Sequence, residues 1–217
     1  MCWVLQDGLC PIALMTGDLA DAESGVTAMS EWSSRVDAEL WKIMATCWRA
    51  KLLIERGEFA QGVTLIRPAL EACARSGWQL WYSEHLGYLA QGLAGLDYLD
   101  EACETIERAV AWGDQRGAAW CQAELLRKKG ELLLKRAPDR AAPEAEHCFQ
   151  RARNLARKQS ALFWELRIAL SLARLRSSQK RHNDARRMLR PVYDKFTEGF
   201  GSADLRAARR MLDISSQ

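Results

Sequence analysis

At 217 residues, with 48% hydrophobic and 27% charged side chains, the chain has the size of one ordinary domain or one short repeat array, with enough apolar residues for a sizeable core. Seven cysteines, an odd number spread without a Cys-x-x-Cys pair, argue against a secreted disulfide framework and against structural zinc. The net charge of +3 hides an asymmetry: residues 1–150 carry 15 basic and 22 acidic side chains, residues 151–217 carry 16 basic and 6 acidic.

Residues 1–15 are apolar but hold Asp7 and no basic flank, unlike a secretory signal, and no run is long enough to span a membrane. The pattern reads as helix from the outset, which is expected of the tail of a longer, cytoplasmic chain. Apolar spacing and strong helix formers predict segments near 2–15, 19–34, 37–55, 59–75, 79–95, 99–115, 118–136, 142–158, 161–178 and 182–196, closed by a short capping helix near 202–214. Gly17 and Gly57 fall between the paired segments, and Gly77 and Gly117 fall where a left-handed C-cap suits glycine.

Internal repetition is the strongest signal. Small residues recur at Cys10, Ala50, Ala90, Gly130 and Ala173, at intervals of 40, 40, 40 and 43. A second small row (Ala22, Gly62, Ala102, Ala145, Ala185) follows in register. So do two apolar rows, Val26, Ile66, Ile106, Phe149, Leu189 and Met29, Ala69, Ala109, Ala152, Val192. Trp41, Trp81 and Trp164 open the units, with Trp120 one residue early, and an insert at 137–143 accounts for the longer last interval. Small side chains let antiparallel helices approach, larger ones fill the adjacent groove, and each pair needs the next to cover its apolar face. The expectation is an all-α, right-handed α-solenoid of about five tetratricopeptide-like helix pairs. Its repeats lie near 1–35, 36–76, 77–116, 117–159 and 160–197, making a single domain over 1–217.

The small and apolar positions resemble the tetratricopeptide consensus, with a period near 40 in place of 34. The segments LCPIALMTGDLADAE (Leu9–Glu23), WCQAELLRKKGELLL (Trp120–Leu134), FWELRIALSLARL (Phe163–Leu175) and LRPVYDKFTEGFGSADLRAARRMLD (Leu189–Asp213) resemble the C-terminal region of bacterial multidomain ATPase-type transcriptional regulators. Those proteins join a winged-helix or cyclase-like N-terminal domain, a P-loop ATPase and a helical repeat tail. The resemblance implies a non-catalytic tail for protein interaction or effector sensing, with an ATPase domain in the same or a neighbouring chain. A free-standing scaffold that gathers protein partners is the alternative. No winged helix and no Gly-x-x-x-x-Gly-Lys loop occur, so DNA reading and ATP hydrolysis do not carry over.

No catalytic set is expected. Glu144 and His147 have the Glu-x-x-His spacing of di-iron bundles, but one such motif is half a site. His85 and His182 lack the companions of nucleophilic catalysis. No cofactor or metal is expected. The basic C-terminal third is open to nucleic acid or an acidic partner domain, but solvated arginine faces are the favoured reading, since it lacks interleaved base-stacking aromatics. The repeat register turns one stripe of each first helix toward a concave wall: Met44, Cys47, Lys51; Glu84, Gly87, Gln91; Glu124, Arg127, Glu131; Arg167, Leu170, Arg174. Of these, Glu84, Gln91, Glu124, Arg127, Glu131, Arg167 and Arg174 form the expected groove for a peptide, protein segment or small effector. Salt bridges across the groove compete with that role. Arg167 and Arg174 are expected to be exposed, so that replacing both would leave the fold intact.

Overall fold

A computed structural model describes residues 4–77, 80–116 and 119–214. Among them all regular structure is helical, and eleven α-helices follow one another with short turns. The chain divides into two compact units, one ending at Trp112 and the other beginning at Gly113.

In the first unit a π-turn at Leu5–Leu9 leads into α1 (Cys10–Thr16), followed by α2 (Leu19–Arg35), α3 (Glu39–Glu55), α4 (Phe59–Ser76), α5 (Tyr82–Gly95) and α6 (Leu99–Arg116), whose last turn enters the second unit. The π-turn has a local cause. Pro11 has no N–H to give the carbonyl of Asp7, and just before it the Cys10 N–H bonds Leu5 O, five residues back. The second unit holds α7 (Ala119–Arg136), α8 (Ala142–Lys158), α9 (Leu162–Ser178), α10 (His182–Tyr193) and α11 (Ala203–Ile214). Within each unit helices pack on their sequence neighbours, from α1 to α5 and from α7 to α11. They also pack on alternate helices: α1 on α3, α3 on α5, α7 on α9, α9 on α11. That pattern is the mark of stacked helix pairs.

Every residue of the four repeating rows, from Cys10 to Val192, is buried. At the two glycines of these rows the paired helix lies directly against the position. A methyl group at Gly62 on α4 would stand 2.6 Å from Ile54 Cγ1 and 3.1 Å from the Ala50 carbonyl on α3. One at Gly130 on α7 would stand 2.5 Å from the Phe149 ring of α8.

The turns repeat with the same period. A left-handed residue sits at Gly17, Gly57 and Asp97 and, beyond the insert, at Lys180. A second series holds Asp37, Gly77 and Ser160. Glycine is free to adopt such φ values, whereas Asp37 (φ 46°), Asp97 (φ 66°), Ser160 (φ 53°) and Lys180 (φ 60°) hold them because the packed helices on either side demand it. The predicted cap at Gly117 lies outside the described residues, as do Cys2 and the expected starts at 2, 79 and 118. Two bounds differ from expectation by three residues. The segment expected from 79 becomes helical at Tyr82, after Trp81 takes φ −105°. The segment expected to reach 196 ends at Tyr193, where Lys195 N–H bonds Val192 O and Phe196 N–H bonds Tyr193 O, tightening the last turn and stopping it.

The Gly130–Phe149 contact predicts a specific cost. Gly130→Ala should lower stability by about 1–3 kcal/mol in urea denaturation, because the Phe149 ring must move, despite alanine's better helix propensity. Adding Phe149→Leu should make the two changes non-additive, the pair costing less than the sum of the singles. Strict additivity would show that the two residues do not meet.

A candidate groove built on a buried charge ladder

The groove residues divide between the units, and each set is built differently. In the first unit Glu84 and Gln91 lie on α5, one on each side of Gly87, which is buried. Gln91 Nε2 donates to Glu55 Oε1 at 3.2 Å. Glu84 Oε2 accepts from Lys51 Nζ of α3 at 2.5 Å, and that lysine side chain is 0% exposed. Its ammonium sits 3.7 Å from the Trp48 ring centroid, with Tyr88 at 5.1 Å and Trp81 at 5.4 Å. Rings and carboxylate together replace the water that the ammonium has lost. Met44 and Cys47, expected beside Lys51 on an open wall, are buried in the core with Trp48 and Cys10. Trp81 Nε1 also donates to Asp7 Oδ1 at 3.1 Å, which ties the N-terminal turn to this corner.

His85 is packed beside them, its ring 6.0 Å from Trp48 and edge-on. Neither ring nitrogen has a hydrogen-bond partner. Burial pushes its pKa well below the usual histidine value, and the Lys51 charge adds to the effect. Burial lifts the Cys10 thiol to about 11 against the pull of Lys51; Cys73 beside it, together with burial, pushes Cys47 well up, while Cys73 itself is shifted down.

In the second unit the expected residues come together as a chain of alternating charge. Asp204 of α11 accepts from Arg167 Nε of α9 at 2.7 Å. Arg167 reaches Glu124 of α7 at 3.3 Å. Glu124 is held bidentately by Arg127, with both oxygens at 2.7 Å. Arg127 bonds Glu131 at 2.6 Å, and Glu131 takes a 2.7 Å bond from Ser171 Oγ. The last member, Arg174, meets Glu131 only at 3.8 Å. Glu124 is the most buried member at 7%, and exposure rises through Arg127 at 12% and Glu131 at 39% to Arg174 at 58%, while Arg167 and Asp204 at the other end are 20% and 21% exposed. Leu170, expected on the same wall, is buried.

Burial by itself would raise the Glu124 pKa, but Arg127 and Arg167 outweigh it and hold the carboxyl at about 2. Burial would likewise lower Arg127, and Glu124 and Glu131 keep it well above its ordinary value. The expectation that Arg167 is an exposed charge is therefore corrected. It stacks over Phe163 and Trp164, 5.1 and 5.6 Å from the rings, and its removal would take from Asp204 its ion-pair partner and leave Glu124 to Arg127. Sequence reading also missed Asp204 and Ser171. The pattern over 202–214 predicts a capping helix and nothing of Asp204, and a serine on a helix carries no pattern of its own.

At the Arg174 end a cleft of about 620 Å³ opens between α7, α8 and α9. Leu134, Pro138, Ala142, Phe149 and Leu175 give it an apolar floor, and Glu131, Ser171 and Arg174 a polar wall. That size and mixture suit a small ligand or a peptide side chain. Elsewhere, Glu144, His147 and His182 are exposed. Among the described residues no three His, Cys, Asp or Glu side chains are grouped to hold a metal ion, and no helix is long and apolar enough to cross a membrane.

Two acid responses follow. Above about pH 6.5 His85 is neutral in both folded and unfolded chains and adds no pH dependence. Below it the unfolded chain takes up a proton that the folded chain refuses, so stability should fall by up to about 1.4 kcal/mol per pH unit. His85→Phe should flatten the urea-midpoint profile between pH 6.5 and 5, and an unchanged slope would place the titrating group elsewhere. Glu124, with its pKa held down, contributes stability that is complete above about pH 4.5 and is lost as the pH falls toward 2. Glu124→Gln should cost about 3–5 kcal/mol at pH 7, since two buried guanidinium groups lose their shared carboxylate, and should remove that acid-limb loss. A cost below about 1 kcal/mol would mean that the ladder adds little to stability.

No protein-family model matches this chain, and no curated protein matches it significantly in sequence.

Proposed function

We propose that this chain is a non-catalytic repeat domain that binds a peptide segment or small effector, and that it serves as the regulatory tail of a signal-responsive, ATPase-type transcriptional regulator of the cytoplasm. In this reading about five tetratricopeptide-like helix pairs wind into a right-handed solenoid whose first helices line the binding face. An ATPase domain, in the same or a neighbouring chain, is the partner that would receive the signal.

The observation that carries the binding role is the contrast along the charge ladder. Five of its six ionic members are locked by contacts of 3.3 Å or less, while Arg174 keeps one contact at 3.8 Å and faces the cleft. A guanidinium held so loosely is free to fork a carboxylate or phosphate brought by a ligand whose apolar part fills the floor beside Phe149. The four locked residues Glu124, Arg127, Glu131 and Arg167 position it, and Glu84 and Gln91 take the structural role in their own unit.

Arg174→Ala is the clean test, since an exposed side chain with one weak ion pair should change stability by less than about 0.5 kcal/mol. Capture of partners from native cells, read by mass spectrometry, should lose the specific partner with this variant and keep it with Arg209→Ala, a change of equal charge at an exposed position on α11. Full-strength capture by Arg174→Ala would move the binding site away from this cleft.

A further inference from the structure

The basic excess of the C-terminal third is gathered at one place in the second unit. A shallow cleft of about 460 Å³ lies where α8, the end of α9 and the start of α10 meet, lined by Arg153, Arg176, Arg181, Asp184, Arg187 and Met188. Four guanidinium groups face one carboxylate. Asp184 is already saturated: it accepts from Arg181 Nε at 2.8 Å and from Arg187. Arg176 is paired with Glu146 of α8. Arg153 is different. It makes no hydrogen bond or ion pair, and its Nε is buried without a partner.

A buried donor left unpaired is costly, and a guanidinium cannot escape by losing its proton. Burial and the neighbouring charge of Arg157 both work against the Arg153 cation. Glu165 of α9 favours the cation by its charge, but it makes no bond to Arg153 and is itself bound by Arg157 at 2.6 Å and by Lys195 at 3.0 Å. The cleft thus holds a positive excess that the chain's own acids do not cancel. This differs from the Glu131–Arg174 cleft, where the ladder alternates in sign.

We propose that this arginine cleft is a binding site for a phosphate group of a small phosphorylated molecule, with Arg153 as its inner donor and Arg181 and Arg187 as its outer arms. A phosphate offers several oxygens and up to two negative charges, enough to engage the Arg153 fork and still draw the half-exposed Arg181 and the exposed Arg187 from Asp184. A lone carboxylate carries one charge and would leave the excess standing. Met188 supplies an apolar edge for whatever the phosphate is attached to. The site is separate from the groove and does not depend on the reading of the groove.

Pyrophosphate, titrated calorimetrically into the whole chain at fixed ionic strength, is the probe. One pyrophosphate should bind per chain, raise the melting temperature and be displaced by inorganic phosphate and by a mononucleotide in place of acetate. Arg153→Gln should weaken binding by roughly tenfold or more, and Arg153→Lys should also weaken it by several-fold, since it keeps the charge and loses the fork. Arg209→Gln, which removes an equal charge from an exposed site on α11, should leave affinity within about twofold. Should Arg153→Gln fail to fold, Arg187→Gln carries the same test, because Arg187 is 79% exposed and Arg181 alone still pairs Asp184. The proposal is overturned if the folded Arg153 or Arg187 variant binds as tightly as the parent, or if Arg209→Gln weakens binding equally. It is also overturned if only long polyanions such as RNA bind, since each of these outcomes would mean diffuse attraction and no built site.

Discussion

Close approach between neighbouring helices is the constraint on which the packing rests. Where Gly62 meets the Ala50 carbonyl, or Gly130 meets the Phe149 ring, no side chain larger than the one present fits without displacement. Such contacts fix the separation of the paired helices, and the separation decides what the larger residues beside them can fill. Ile66, Ile106, Phe149 and Leu189 are buried because the small rows bring their helices within reach. The strained turns at Asp97, Ser160 and Lys180 have the same origin. Packed helices on both sides set the geometry of the connection, and the connecting residue accepts a left-handed φ.

Tight packing also explains why charge is buried. Stacked first helices bring Glu124, Arg127 and Glu131 of α7 against Arg167 and Ser171 of α9 within hydrogen-bonding distance. Each charge is tolerated because an opposite one lies beside it, and the ladder runs until it reaches Arg174 at the cleft. Lys51 shows the other solution: an ammonium enclosed by Trp48, Tyr88 and Trp81 and tied to a single carboxylate. The proposed binding sites lie where these compensations run short, at Arg174 and at Arg153.

The two clefts differ in what they can recognise. The Arg174 cleft is nearly balanced in charge and has an apolar floor, so shape and one ionic contact would choose its ligand. The Arg153 cleft is shallow and strongly cationic, so charge would choose. A domain with both could answer to a partner and to a phosphorylated small molecule independently.

The sequence by itself determined that the chain is helical and that the four repeating rows are buried, although Met44, Cys47 and Leu170, read onto the groove wall, are buried too. Period, residue size and glycine placement are local properties, and a helix repeats them with fixed geometry. The groove residues were also legible as a stripe, since register alone puts Glu124, Arg127 and Glu131 on one face. Tertiary structure alone decided what those residues do. Whether Arg167 faces water or is locked between Glu124 and Asp204 depends on a helix 37 residues away, and no local pattern encodes that distance. The same holds for Lys51 in its aromatic enclosure, for Ser171 at the centre of the ladder, and for Arg153. Its lack of a bonded partner depends on Glu165 being held by Arg157 and Lys195.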